Sequence, residues 1–232
     1  MQPRLIDASG VLLVAIFAAL LAAGCGLPSS YYLTPPATPT VFATPLTPLF
    51  SVKSTVDNSE SEFRGFALYY KCYLNTGDID SNFSESSFES TLRSAGFFPV
   101  CSEDDASPSE HSLPLFLIDS ADRGKDFTIT VDFNSPNSGM YNALSSYTRP
   151  ETAIVVSKGV RRYVPTDPVG SCKTFNFSEF LKADTDFSGI AGGVPSNGPF
   201  YIAMYALSYG LQDISTPIWS WPVYLGYVGI HN

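Results

Sequence analysis

Phe127, Ile129, Val131 and Phe133 occupy every second position of Asp126 to Phe133 (DFTITVDF), with Thr128, Thr130 and Asp132 between them. Successive side chains of a strand point to opposite sides, so this run has one apolar face and one polar face. A helix would scatter the same residues around its circumference. The same period governs Arg64 to Leu74 (RGFALYYKCYL), where Phe66, Leu68, Tyr70 and Cys72 share a face and Lys71 lies on the other. Leu113 to Ile118, Ala153 to Ser157 and Gly159 to Val164 read as shorter strands. Phe200 to Tyr209 and Pro222 to Ile230 read as long, aromatic-rich ones joined by a connection from Gly210 to Trp221. In this last pair both faces are apolar; Ile202, Met204 and Ala206, with Tyr224 and Val228, are assigned inward.

Helix signals are few. Ser86 to Ala95 has the capping-box spacing of Ser86 and Glu89, a Phe88–Leu92 pair, and Gly96 as a stop. Ser178 to Ala183 reads as a second short helix. Strands separated by turn residues, 14% aromatic and only 15% charged residues predict a mainly β fold. The expected class is an elaborated antiparallel β-sandwich with one or two short helices.

The first residues carry an address. Arg4 precedes an unbroken apolar run, Val11 to Ala23 (VLLVAIFAALLAA). About 20 apolar residues are needed to span a hydrocarbon core of about 30 Å, so this run is too short to span and fits a signal peptide. It ends at Leu21-Ala22-Ala23-Gly24-Cys25, which resembles the lipobox of bacterial lipoproteins, with Ala22 where leucine is usual. The resemblance implies removal of residues 1–24 and acylation of Cys25, giving a membrane-held protein in the cell envelope. Either leaflet is open, and so is a periplasmic or surface position for the body. Two acyl chains hold a protein stably where one does not. The phrases CGLPS, LTPP and YYK are also similar to spirochaetal lipoproteins. Residues 25–49, rich in Pro, Ser and Thr, read as a stalk leading into a first edge strand, and residues 50–232 as the sandwich with a long middle insertion.

Cleavage removes one base, Arg4, and one acid, Asp7, so the net charge stays at −9. That excludes a nucleic-acid partner, whose phosphates need a basic footprint, and electrostatic docking on anionic headgroups. Lys158, Arg161 and Arg162 form the densest basic cluster and read as a solvated hairpin. Cys72 falls on the apolar face of its strand and reads as a buried thiol. Cys101 and Cys172, in polar, loop-like surroundings, are the expected disulfide pair.

The segment Phe63 to Tyr73 (FRGFALYYKCY) resembles the third strand of fibronectin type III domains. YIAMYALSYG and VYLGYV are similar to the last two strands of that fold. The resemblance implies an Ig-like sandwich. Two features depart from it: Trp219 and Trp221 lie in the final connection rather than on an early strand, and the stretch between the matched strands is far longer than in the simple module.

Asp78, Asp80, Asn82, Ser84, Ser86 and Glu89 have the spacing of EF-hand oxygen ligands. Phe83 stands where that loop requires glycine, so the segment reads as a polar turn and no metal or other cofactor is expected. Glu103, Asp104 and Asp105 read as a solvated turn, and the glycine-rich Gly189 to Gly193 as a loop. With His111 and His231 as the only histidines, acid–base and metal chemistry have few players. The sequence therefore points to a binding or structural module of the envelope, not an enzyme, whose partners are the membrane through acylated Cys25 and a protein or glycan ligand. A hydrolase using carboxylates is the alternative. Trp219 and Trp221 are the candidate contact residues, since tryptophan is enriched at binding hot spots.

Overall fold

The computed structural model describes residues 33–55, 57–83, 87–102, 116–133, 143–165, 171–181, 183–188, 199–213 and 215–231. The expected signal peptide (residues 1–24), Cys25, Ser84, Ser86, Glu103 to Asp105, His111 and Gly189 to Gly193 lie outside the described residues. The strands are β1 (Leu49–Ser54), β2 (Phe63–Tyr73), β3 (Phe98–Ser102), β4 (Phe116–Leu117), β5 (Phe127–Asp132), β6 (Ala143–Thr148), β7 (Val155–Val164), β8 (Ser171–Lys173), β9 (Phe200–Gln212), β10 (Thr216–Trp219) and β11 (Val223–Ile230). The helices are α1 (Glu89–Ser94) and α2 (Thr185–Ser188).

The strands run antiparallel in the order β1-β5-β6-β7-β3-β2-β9, with β10 and β11 sharing the far edge of β9. β3 passes from one layer to the other: Phe98 and Pro99 pair with β2, whereas Val100 to Ser102 pair with β7. The fold is thus a mainly antiparallel β-sandwich made from one curled sheet. β2, β9 and β11 lie side by side, as strands C, F and G do in Ig-like sandwiches.

The alternating runs set the core. Phe50 and Val52 of β1 and Ile129 and Val131 of β5 face Leu68, Tyr70, Ile202, Met204 and Val228 from the other layer, all buried in one cluster. Full burial of such a side chain stabilises by roughly 1.5–3 kcal/mol. The outer face of β2 and β9 has its own smaller cluster: Tyr69, Tyr205 and Leu207 meet Leu92 of α1 and Phe97. α1 ends as its sequence predicts. Gly96, at φ +85°, donates to Arg93 O (3.0 Å), and Phe97 donates to Leu92 O (3.0 Å); together they form a Schellman motif with Phe97 packed back on Leu92.

Several sequence expectations need correction. Tyr224 faces the outer cluster, because a bulge between Tyr224 and Gly226 turns Leu225 into the core and shifts the register by one residue. The connection after Tyr209 is a hairpin: β9 runs on to Gln212 and β10 returns along it, Trp219 opposite Tyr209. Ser220 N–H still bonds Ser208 O (3.0 Å) in the β10 register; Pro222, which lacks an N–H, then interrupts the return strand, and pairing resumes one residue out of step at Val223, opposite Ala206. Ala153 to Val164 is a turn and one strand, so Lys158, Arg161 and Arg162 form no solvated hairpin; they sit within β7, and Arg162 is fully buried. α1 begins at Glu89 rather than Ser86, with Phe88 N–H bonded to the Thr91 hydroxyl (3.2 Å) and Phe88 exposed instead of paired with buried Leu92. The expected helix over Ser178 to Ala183 is replaced by a 3₁₀ turn, Phe177–Glu179, and the later α2.

The Pro/Thr-rich segment, from Leu33 onward, lies along the sheet as a strap. Ala37 N–H bonds to Lys53 O on β1 (3.1 Å). Ala43 bonds β11 twice, its N–H to Leu225 O (2.9 Å) and its O from Tyr227 N–H (3.1 Å). Both terminal edges are thereby engaged, and Leu33 and Ala43 are buried. Gly226, at φ +109°, makes this approach possible, since a Cβ there would stand 2.4 Å from the nitrogen and oxygen of Ala43.

Candidate functional site

Two arrangements could carry function: an aromatic groove on the outer face and a buried charge cluster at the far side of the core. The groove follows from the register. On β9, Tyr201, Tyr205 and Tyr209 alternate with the inward Ile202, Met204 and Ala206. Opposite Tyr205 stand Tyr69 on β2 and Tyr224 on β11. Phe83 meets Tyr205 edge-on at 5.3 Å, Tyr224 lies 5.2 Å from Tyr205, and Phe42 of the strap lies 5.8 Å from Tyr224. Between strap and β11 opens a groove of about 490 Å³, lined by Thr38, Phe42, Ser81, Phe83, Trp221 and Tyr224, with Pro222 and Val223.

Among the described residues no lining residue is charged. Burial pushes the Tyr224 phenol up to about 12, so it is a neutral donor throughout the ordinary pH range. Tyr205, whose phenol is also raised by burial, donates to Asp80 O (2.9 Å) and ties the 75–83 loop to the sheet. Lys71 donates to Ala95 O (2.6 Å) at the C-terminal end of α1, where a cation suits the carbonyl end of a helix. The surface around the groove is therefore rigidly backed. Such a site can hold flat or ring-bearing apolar groups by stacking and orient them with a few hydroxyls.

The candidate tryptophans divide. Trp219 is half-buried on β10, its ring 4.8 Å from Tyr209 and 6.4 Å from Tyr69. Trp221, also half-buried, lines the groove. Phe42, Phe83 and Tyr224 were not anticipated as neighbours. Pro/Thr composition alone predicts a stalk and alternation alone places Tyr224 inward; the apolar pair Val41–Phe42 inside a Pro/Thr run is the local signal for the strap.

In the charge cluster, the Arg162 guanidinium is 0% exposed and fully engaged. Nη1 donates to both oxygens of Asp186 (2.9 and 2.8 Å), Nη2 to Asp184 Oδ2 (2.6 Å) and Nε to Thr174 O (3.1 Å), while the Phe180 ring centroid lies 3.9 Å from Cζ. Tyr70 adds a hydroxyl to Asp186 (2.5 Å), and Lys173 pairs with Asp184 (2.5 Å). Burial would raise the Asp184 carboxyl, but hydrogen bonds from Lys173 and Arg162 outweigh it and hold it below the usual value. Burial pushes the nearby Cys72 thiol well up, leaving it protonated and unreactive. Two cations meet two anions here, so the cluster is internally neutral and pins the 174–188 segment to β7.

Cys101 of β3 and Cys172 of β8 are joined in a disulfide, Cα–Cα 6.2 Å, and both stand in strands rather than loops. Of the acidic loop, Glu89 is bonded to Tyr69 (2.5 Å) and to Arg93 rather than turned toward Asp78, Asp80 or Asn82. Among the described residues no group of three or more His, Cys, Asp or Glu is placed to hold a metal ion. No family model, curated protein or solved structure matches the chain, so the site stands on its own geometry.

Proposed function

We propose that this chain is a bacterial envelope lipoprotein, held to the membrane by acylated Cys25, whose β body binds a neutral ligand in the groove beside Trp221. The groove is the observation that carries the binding half: four aromatic side chains, one of them the Tyr224 phenol, and the hydroxyls of Thr38 and Ser81 converge without a charge among them. Hot-spot chemistry of this kind suits a neutral glycan or an apolar protein segment. The anchor half rests on the run from Arg4 through Val11–Ala23 to Cys25, and a Cys101–Cys172 disulfide suits an exported protein. A carboxylate hydrolase would need acids open to substrate, whereas Asp184 and Asp186 converge on Arg162 in the interior.

The two halves are tested separately. Metabolic labelling with a fatty-acid analogue is expected to mark the protein and to vanish in Cys25→Ala, with the precursor accumulating; labelling that survives this change removes the anchor. For the groove, titrating tryptophan fluorescence with neutral oligosaccharides and apolar peptides is expected to give a saturable change. Trp221→Ala should abolish that change and Trp219→Phe should keep it. A response insensitive to Trp221→Ala would move the ligand elsewhere.

A further inference from the structure

Among the described residues nine large apolar side chains are exposed, and four of them, Val41, Phe42, Leu46 and Leu49, fall within residues 41–49. Leu46 is 93% exposed and Val41 70%. These residues surround a tight turn in which Thr44 and Thr47 exchange backbone hydrogen bonds (3.1 and 3.0 Å) across Pro45 and Leu46. In a chain of net charge −9, no residue from Gly26 to Val52 carries a charge.

We infer that this strap tip is a membrane-contacting element that enters the interface of a zwitterionic bilayer. Three features select lipid over another protein. From Ala43 to Leu49 most of the backbone is bonded internally: the N–H groups of Ala43, Thr44, Thr47 and Leu49 have partners, and Pro45 and Pro48 carry no N–H. Few donors are therefore stripped of water on entry, the condition a bilayer imposes and a strand-pairing partner would not. The apolar side chains stand among threonine hydroxyls and prolines without a charge, matching an interface that takes apolar groups inward and keeps hydroxyls at headgroup level. The tip is also continuous in sequence with Cys25, so this inference extends the lipoprotein reading, although the contact itself needs no acyl chain. The acidic remainder of the body disfavours anionic lipid, so the contact is apolar and should be insensitive to salt.

The test uses the mature chain, residues 25–232, with Cys25→Ser so that no acyl chain contributes. Co-sedimentation with phosphatidylcholine vesicles is expected to show partition that is unchanged between low and high salt. Val41→Glu with Leu46→Glu should lower it about tenfold, while Ile154→Glu, an exposed apolar site elsewhere, should not change it; circular dichroism confirms that each variant is folded. Absent partition, partition lost in salt, or equal loss in the Ile154 control would overturn the inference. Concentration-dependent dimers abolished by the tip substitutions, without vesicle binding, would assign the tip to a second copy instead. Fatty-acid labelling at Cys25 is read independently, so failure of the anchor and failure of the tip remain distinct.

Discussion

Arg162→Met is expected to destabilise the body by about 3–5 kcal/mol, the range for removing one partner of a buried ion pair. The cost arises because Asp184 and Asp186 stay behind in the interior, with Lys173, the Leu181 N–H and the Tyr70 hydroxyl as their remaining partners. Urea denaturation at neutral pH measures it. A loss under about 1 kcal/mol would mean that the carboxylates reach water without rearrangement. The same cluster predicts acid sensitivity. The Asp184 carboxyl sits below its ordinary value in the folded protein, so its contribution is complete above the ordinary carboxylate range and fades as pH falls through the folded value. Asp184→Asn should remove that portion of the acid dependence while lowering stability at neutral pH.

The second large effect belongs to the disulfide. Cys101 and Cys172 are 71 residues apart, and closing a loop of that length in the unfolded chain is worth about 4 kcal/mol on the chain-entropy account. The double variant Cys101→Ala, Cys172→Ala is expected to lose most of that in chemical denaturation, and reductant should lower the wild-type midpoint similarly. β8 pairs with β7 over three residues, so hydrogen exchange at Ser171 to Lys173 should accelerate first. A denaturation midpoint indifferent to reductant would show that β8 is held by its ladder and by Lys173 alone.

Much of the architecture was legible because period-two patterning reports directly on which side a residue faces. Phe127, Ile129, Val131 and Phe133 all reach the core, and so do Ile202, Met204 and Ala206. Pattern fails where the count of residues changes: one extra residue at Leu225 moved Tyr224 to the other face, and nothing local marks a bulge except Gly226. It fails again where distant residues decide. Arg162 looks like a surface charge beside Lys158 and Arg161, and its burial depends on carboxylates 22 and 24 positions downstream. The groove was half legible for the same reason. Trp221 was named from its residue type, but its neighbours come from the strap, the 75–83 loop and β11, which only the tertiary fold brings together. The strap itself was hidden by composition, because Pro and Thr suit a free stalk as well as an edge-binding segment.

The bond between Ala43 and the Leu225–Tyr227 stretch also fixes an order of assembly. Its two halves come from opposite ends of the chain, so it cannot form until β11 has emerged. Until then β9 presents an open side, and the strap is held at β1, Glu60 and Ser208 but not at its tip. Contacts between such distant segments form late, after most of the loop-closure entropy has been overcome. The hazardous interval runs from the arrival of β9 to the docking of the strap, when an open strand edge can pair with another molecule. Gly226 then acts as the latch seat: its bare backbone lets the strap close on its own last strand.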